Sequence, residues 1–306
     1  MLESGSPIPC QEETLIPEEK KDIPVLSCSA EKTAEIKICG NAPVTAGTAG
    51  KPDSPSCRRI AIKKTPYRVP KLSLCSKNTA ATVLITGASG FFGAHLLAAL
   101  NESGTQRFVC LQRDGNKQRL ADALTWYFGG SYSQLLMEKI SVIKADLSLP
   151  LLGLAPDKYR ELAAKPEAIW HCAADVRHYA ADSAALLQVN VNGTGEMIAL
   201  AQKAKIPLYH ISTTSVAGNI PKENRLYSPC LQENQLDIGQ DWHSNIYVRS
   251  KFLAEKAVLE AVEEGLEARV FRLGRLVGRS GDGVFQRDPE RNAFWLTLRG
   301  IHALGA

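Results

Sequence analysis

The sequence predicts an α/β fold: a doubly wound parallel sheet beginning near residue 79, preceded by a disordered N-terminal segment. Three observations carry this expectation. Apolar runs of strand length recur from Thr82 onward. Helical patterns fill the intervals between them, and such alternation builds parallel sheets with helices on both faces. A glycine-rich turn, Thr86-Gly87-Ala88-Ser89-Gly90-Phe91-Phe92-Gly93, joins the first run to its helix.

Residues 1–78 stand apart from this pattern. They hold nine of the chain's 16 prolines and no sustained hydrophobic period. Acidic and basic clusters alternate, as in Glu18-Glu19-Lys20-Lys21, and small residues fill Ala42 to Gly50. Such a stretch buries too little apolar surface to offset its ordering entropy, so it reads as a disordered linker. The domain is expected over residues 79–306.

The expected strands are Thr82 to Thr86, Arg107 to Leu111, Ile140 to Ala145, Ala168 to His171, Leu208 to Ser212 and Ala268 to Leu273. The principal helices are expected over Ala94 to Leu100, Leu186 to Lys205 and Tyr247 to Glu264. A strand running through a glycine turn into a helix is Rossmann-like, and it seats a pyrophosphate on the helix N-terminus. Gly87 allows the tight turn, Gly90 admits the phosphates to the backbone, and Gly93 lets the helix pack closely on the strand. Thr86, Ser89, Phe91 and Phe92 complete the candidate phosphate-binding turn. Ligands of such folds bind at the carboxyl ends of the strands, near the switch point.

Composition excludes several other functions. The apolar fraction of 44% and charged fraction of 22% are those of a globular protein. A net charge of +4 without basic runs interleaved with aromatics gives no footprint for nucleic acid. No apolar run is long enough to span a bilayer, and the N-terminus lacks the features of a signal peptide, so a cytoplasmic protein is expected. The eight cysteines, Cys10, Cys28, Cys39, Cys57, Cys75, Cys110, Cys172 and Cys230, form no CxxC pair. They are expected as free thiols, with Cys110 and Cys172 in the core and no metal site.

Two further patterns carry chemistry. Tyr247-Val248-Arg249-Ser250-Lys251 places a phenol and an amine four residues apart, on one helix face. An ammonium beside a phenol favours phenolate, so Lys251 is expected to lower the pKa of Tyr247 and fit it to protonate an alkoxide. The strand from Leu208 ends in consecutive hydroxyls, Ser212-Thr213-Thr214-Ser215, placed to bind a substrate oxygen.

The glycine turn, the hydroxyl cluster and YxxxK, in this order, resemble the extended short-chain dehydrogenase/reductase superfamily. The resemblance implies Thr213 as the catalytic hydroxyl, Tyr247 as the acid and Lys251 as the residue binding the nicotinamide ribose. Asn190 with Gly193-Thr194 resembles the family's asparagine-glycine-threonine helix behind the cofactor. A narrower resemblance covers residues 70 to 306. His171-Cys172-Ala173-Ala174-Asp175-Val176-Arg177-His178-Tyr179-Ala180 and Arg272-Leu273-Gly274-Arg275-Leu276-Val277-Gly278-Arg279 look like segments of thioester reductase domains. Those domains end nonribosomal peptide synthetases and relate to carboxylic acid and aminoadipate reductases. Arg275 stands where that family usually has asparagine, and most of its C-terminal substrate lobe is expected to be lacking here.

The resemblance implies that Ala173, Ala174, Asp175 and Gly274 line the cofactor and that Asp146-Leu147 contacts adenine. An arginine after the second strand clamps a 2′-phosphate, so Arg113, with Arg119 or Lys117, points to NADPH; Asp114 keeps NADH open. The implied reaction reduces an acyl or peptidyl thioester on a phosphopantetheinylated carrier protein to an aldehyde, or further to the alcohol. The alternatives are an extended reductase or epimerase acting on a free small molecule or acyl-CoA, and a truncated, non-catalytic NADP-binding protein. Neither the acyl group nor the oligomeric state is written in these residues.

Overall fold

A computed structural model describes residues 36–38, 58–60, 82–105, 107–178, 182–218, 233 and 235–305. Within the N-terminal segment, β1 (Ile36–Ile38) pairs antiparallel with β2 (Arg58–Ile60), Ile36 opposite Ile60. The remainder of the expected linker lies outside the described residues, as do Tyr179, Ala180 and the cysteines other than Cys110 and Cys172.

The main body is a six-stranded sheet in the order β5-β4-β3-β6-β7-β8. Its strands are β3 (Thr82–Thr86), β4 (Arg107–Gln112), β5 (Ile140–Lys144), β6 (Ala168–His171), β7 (Leu208–Thr213) and β8 (Ala268–Leu273). Every pairing between them is parallel. Chain order reverses direction between β3 and β6, so the switch-point crevice opens beyond Thr86 and His171, which are register partners. All six expected strands form, with ends that differ by at most one residue.

Helices cover both faces. α1 (Phe91–Glu102), α2 (Lys117–Phe128) and α3 (Gly130–Met137) contribute to one core, which holds Val83, Ile85, Leu97, Phe108, Leu120 and Leu124. α4 (Pro156–Ala163), α6 (Gly193–Ala204) and α7 (Ile246–Glu263) contribute to the other, around Leu84, Val109, Ile169, Met197, Leu208 and Val258. A strand covered on both faces carries a continuous apolar run, and Val83, Leu84 and Ile85 in β3 are fully buried for that reason. On the first face the Trp170 ring of β6 stacks on Tyr209 of β7 at 4.5 Å and on Phe271 of β8 at 5.5 Å.

Asparagine caps set where the helices begin. Asn116 Oδ1 accepts from the amides of Gln118 and Arg119 to start α2. Asn245 Oδ1 does the same for Tyr247 and Val248, which fixes the start of α7 at the YxxxK sequence. The helix expected over Leu186 to Lys205 is divided. α5 (Ser183–Leu187) runs into a π-helical turn, Gln188–Asn192, before α6. A further helix, α8 (Ala293–Ala303), closes the described chain.

Gly87 and Gly93 carry the packing of the turn. Gly87 has φ +71°, and a Cβ there would lie 2.8–2.9 Å from Cys172 and Ala173 backbone atoms. A methyl on Gly93 would collide with the Gly87 carbonyl oxygen, so α1 approaches the turn only because residue 93 is glycine. Gly93→Ala is therefore expected to lose about 1–3 kcal/mol of stability. A lower urea midpoint with an unchanged m-value checks this.

Candidate active site

The crevice beyond the carboxyl ends of β3 and β6 is built around Thr86. Its hydroxyl accepts from the amides of Cys172 (3.1 Å) and Ala173 (3.0 Å). It therefore donates its proton to His171 Nδ1 at 2.8 Å. That fixes the His171 tautomer: Nε2 carries the ring proton and donates to Thr194 Oγ1 at 3.1 Å. Thr194 in turn donates to the Asn190 carbonyl at 2.7 Å.

Asn190 continues the chain to the opposite wall. Its side chain mimics a paired strand, accepting from the Asp175 amide (2.7 Å) and donating to the Asp175 carbonyl (2.8 Å). The same amide group donates to Ser250 Oγ at 2.9 Å, and Ser250 donates to the Tyr247 carbonyl at 2.8 Å. The phosphate turn, β6, the π-helical turn and the helix of Tyr247 are thus one connected network. The π-turn places Asn190 within it, and Gly193 lets α6 close on Leu147, whose Cβ would stand 3.0 Å from an added methyl.

Thr213, at the end of β7, lies near enough to the Tyr247 phenol to lower its proton affinity. It also accepts from the Ser215 amide at 3.1 Å and donates to Ser215 Oγ at 3.2 Å. Thr214 is exposed. Lys251 is buried, and its Nζ donates to the Ile211 carbonyl at 2.6 Å. Lys251 does not lower the Tyr247 pKa, contrary to the expectation from their spacing. Burial raises the phenol, and the opposing influence is the Thr213 hydroxyl rather than the ammonium. Burial also lowers Lys251, to about 8, against the pull of Glu255. His178 packs on the Tyr247 ring, centroids 4.8 Å apart.

The turn fits a dinucleotide. The first helical hydrogen bond of α1 runs from the Ala94 amide to the Gly90 carbonyl, 2.9 Å. The amides of Phe91, Phe92 and Gly93 precede that ladder and are free to face an anion. A Cβ on Gly90 would meet only the Gly87 carbonyl, at 3.3 Å, which leaves the outer side of the turn open to a ligand. Ser89 lies half-buried in the turn. The Phe91 ring itself packs away into an aromatic cluster with His95, Tyr127 and Phe285.

Asp146, expected to contact adenine, accepts from the Ser148 amide and hydroxyl (2.9 and 2.6 Å), which lowers its pKa. Arg113, the residue after β4, adds its positive field to both Asp146 and Asp175. Asp114 accepts from the Asn116 amide and pairs with Arg119 at 3.3 Å. Asp175 is held by Arg177, through contacts of 2.5–3.0 Å, and sits below the usual carboxylate range. Ala174 is half-buried between Ala173 and Asp175. Gly274 follows β8 exposed, with nothing near an added Cβ. Arg275 beside it lies over the Phe294 ring, 5.3 Å from its centroid. Cys110 is buried, its thiol pushed up to about 12, and Cys172 is also raised by burial. Both are free thiols, as expected.

Sequence reading passed over His171, Ser250, His178 and Glu255 as site residues. His171 and Ser250 stand inside quoted motifs, but their network roles depend on contacts 85 and 60 residues away in sequence. Among the described residues no cluster of three or more His, Cys, Asp or Glu forms a metal site, and no helix is long and apolar enough to cross a membrane.

The fold and this site define an extended short-chain dehydrogenase/reductase with a nicotinamide-dinucleotide crevice. The family model described as Male sterility protein, an NAD-binding domain, matches residues 85–301, and the chain belongs to that family. It is 33% identical over 223 residues to a glycine betaine reductase of Emericella nidulans, covering 69% of this chain and 17% of that protein. It is 34% identical over 226 residues to an isonitrile lipopeptide synthase of Streptomyces coeruleorubidus, covering 71% of this chain and 14% of the relative. Among solved structures, a thiolation-reductase di-domain of an archaeal nonribosomal peptide synthetase superposes with a TM-score of 0.65 at 34% identity, over 74% of this chain and 48% of that one. The terminal R domain of the myxalamid pathway gives 0.58 at 31% identity, over 67% and 51%. The chain therefore spans about half of these reductase structures and less than a fifth of these two curated relatives.

Burial holds His171 neutral, with its pKa lowered to about 3, and holds the adjacent His210 well below its usual range. A histidine whose folded pKa is depressed binds protons in the unfolded chain first, so stability falls as pH drops from about 6.5 toward 3. For His171 the expected loss is about 2–3 kcal/mol between pH 6.5 and 4.5. Urea unfolding across that range measures it, and His171→Asn is expected to flatten the slope.

Proposed function

We propose that this chain reduces an acyl or peptidyl thioester, carried on the phosphopantetheine arm of a carrier protein, to an aldehyde at the expense of NADPH. The observation that carries the reading is the juxtaposition of the Thr213 hydroxyl with the Tyr247 phenol, with Lys251 one helical turn away. The pair stands at the carboxyl end of the sheet whose switch-point crevice holds the dinucleotide turn. Relatives named as a thiolation-reductase di-domain and a terminal R domain support a carrier-bound substrate.

NADPH bound in the crevice supplies the hydride. The Phe91, Phe92 and Gly93 amides hold its pyrophosphate, and Lys251 holds the nicotinamide ribose. Arg113 favours the 2′-phosphate over a free 2′-hydroxyl, and Asp114 beside it accepts from the Asn116 amide and pairs with Arg119.

Thr213 and Tyr247 hydrogen-bond the thioester carbonyl oxygen where negative charge develops, and Tyr247 gives it a proton. Burial makes the phenol a weaker acid, and the Thr213 hydroxyl opposes that effect. The resulting hemithioacetal loses its hydroxyl proton to the Tyr247 oxygen as the carbon–sulfur bond breaks, and the departing sulfur takes up a proton. One thioester, one NADPH and one proton thus give an aldehyde, a free thiol and NADP⁺.

Tyr247→Phe is expected to lower kcat by about 10²-fold or more while leaving NADPH affinity within a few-fold. Stopped-flow NADPH oxidation with a carrier-bound thioester measures it, and near-normal turnover sinks the role of Tyr247. For the cofactor, Arg113→Gln is expected to raise the Kd for NADPH about 10- to 100-fold, the loss of one charge-assisted contact, with NADH affinity unchanged. Equal losses for the two cofactors would remove the assignment of NADPH.

A further inference from the structure

Behind the catalytic wall lies a second charged cluster that the chemistry above does not use. Glu255, one turn beyond Lys251 on α7, is 1% exposed. Its carboxylate accepts from Ser212 Oγ at 2.5 Å, and from Arg272 Nε at 2.8 Å and Nη2 at 2.6 Å. Ser212 on β7 and Arg272 on β8 are register partners, so the carboxylate bridges a cross-strand pair immediately before Thr213. Arg272 donates also to the Gln235 carbonyl at 2.5 Å.

The surroundings of Lys251 make this cluster more than a strut. His171 on β6 and His210 on β7 are lowered by the ammonium from the sheet side, Cys172 lies beyond β6, Tyr247 precedes it on α7, and Arg272 stands on β8. Burial holds both histidines and the thiol in their neutral forms, and Arg272 is itself a cation. Among the described residues Glu255 is the one carboxylate acting on Lys251. Desolvation works against a buried ammonium, and the Glu255 carboxylate, one helical turn away and also buried, opposes that loss.

We propose that Glu255 is a positioning residue: its buried carboxylate holds Lys251 as the ammonium that binds the cofactor, and Arg272, competing for the same carboxylate, limits how strongly. The inference rests on the reading above in which Lys251 binds the nicotinamide ribose. It differs from a purely structural cluster in one respect. Removing the anion and removing the competing cation shift the Lys251 titration in opposite directions.

The test titrates Lys251 directly, by NMR of the full chain with ¹³C-labelled lysine, the Lys251 signal being assigned by its loss in Lys251→Met. The midpoint in the unaltered chain is expected near 8. In Glu255→Gln it moves to lower pH by about one unit or more. In Arg272→Gln it moves to higher pH, and in Ser212→Ala, which keeps both charges, it stays in place. NADPH affinity at pH 8 falls about fivefold in Glu255→Gln, the ratio of ammonium populations for midpoints one unit apart.

A Lys251 midpoint unmoved in Glu255→Gln and Arg272→Gln, with both variants melting lower, overturns the proposal and leaves a structural cluster. If Glu255→Gln does not fold, Arg272→Gln decides alone, and a midpoint that stays or falls overturns it. Failure of the unaltered chain to bind NADPH sinks the cofactor reading instead, because the lysine titration is read without cofactor.

Discussion

The chain of hydrogen bonds from Thr86 through His171, Thr194 and Asn190 to Ser250 is the constraint on which the site depends. Each member is buried, and each is satisfied only if the next is in place. A buried polar network of this kind is costly when partly satisfied and rigid when complete. Here it ties the phosphate turn at the sheet's switch point to the backbone of Tyr247. The distance between the two halves of the site is therefore set by side-chain chemistry as well as by packing.

The electrostatics follow from the same burial. Histidines at adjacent register positions, His171 and His210, are kept neutral beneath a buried lysine, and the thiols of Cys110 and Cys172 are kept protonated. Burial lowers Lys251 as well, to about 8, and the Glu255 carboxylate opposes that shift. Burial raises the Tyr247 phenol, and the Thr213 hydroxyl opposes that shift.

Much of the fold was legible in the residues. The strands stand out because each central run is apolar on both faces, as in Val83-Leu84-Ile85. The YxxxK sequence was placed correctly at a helix start, and the Asn245 cap that sets it lies two residues before Tyr247. Helices α2, α3 and α4 were less plain, because α2 opens on Lys117-Gln118-Arg119 and α4 exposes most of its length, so little apolar period marks them. The break between α5 and α6 left no local signal. It exists because Asn190 is drawn across to Asp175 and Ser250, and no pattern of propensity encodes a partner 60 residues away.

The sequence by itself determined the parallel sheet and the glycine turn, and it singled out Thr213, Tyr247 and Lys251 as candidates, because periodicity, turn chemistry and short spacings are local properties. Only the tertiary structure decided how those residues are charged. Lys251 stands one helical turn from Tyr247, yet its ammonium turns to the Ile211 carbonyl and toward Glu255, and burial raises the phenol that the spacing alone would lower. Proton affinity depends on what surrounds a group in three dimensions, and desolvation has no counterpart in the order of residues along a chain.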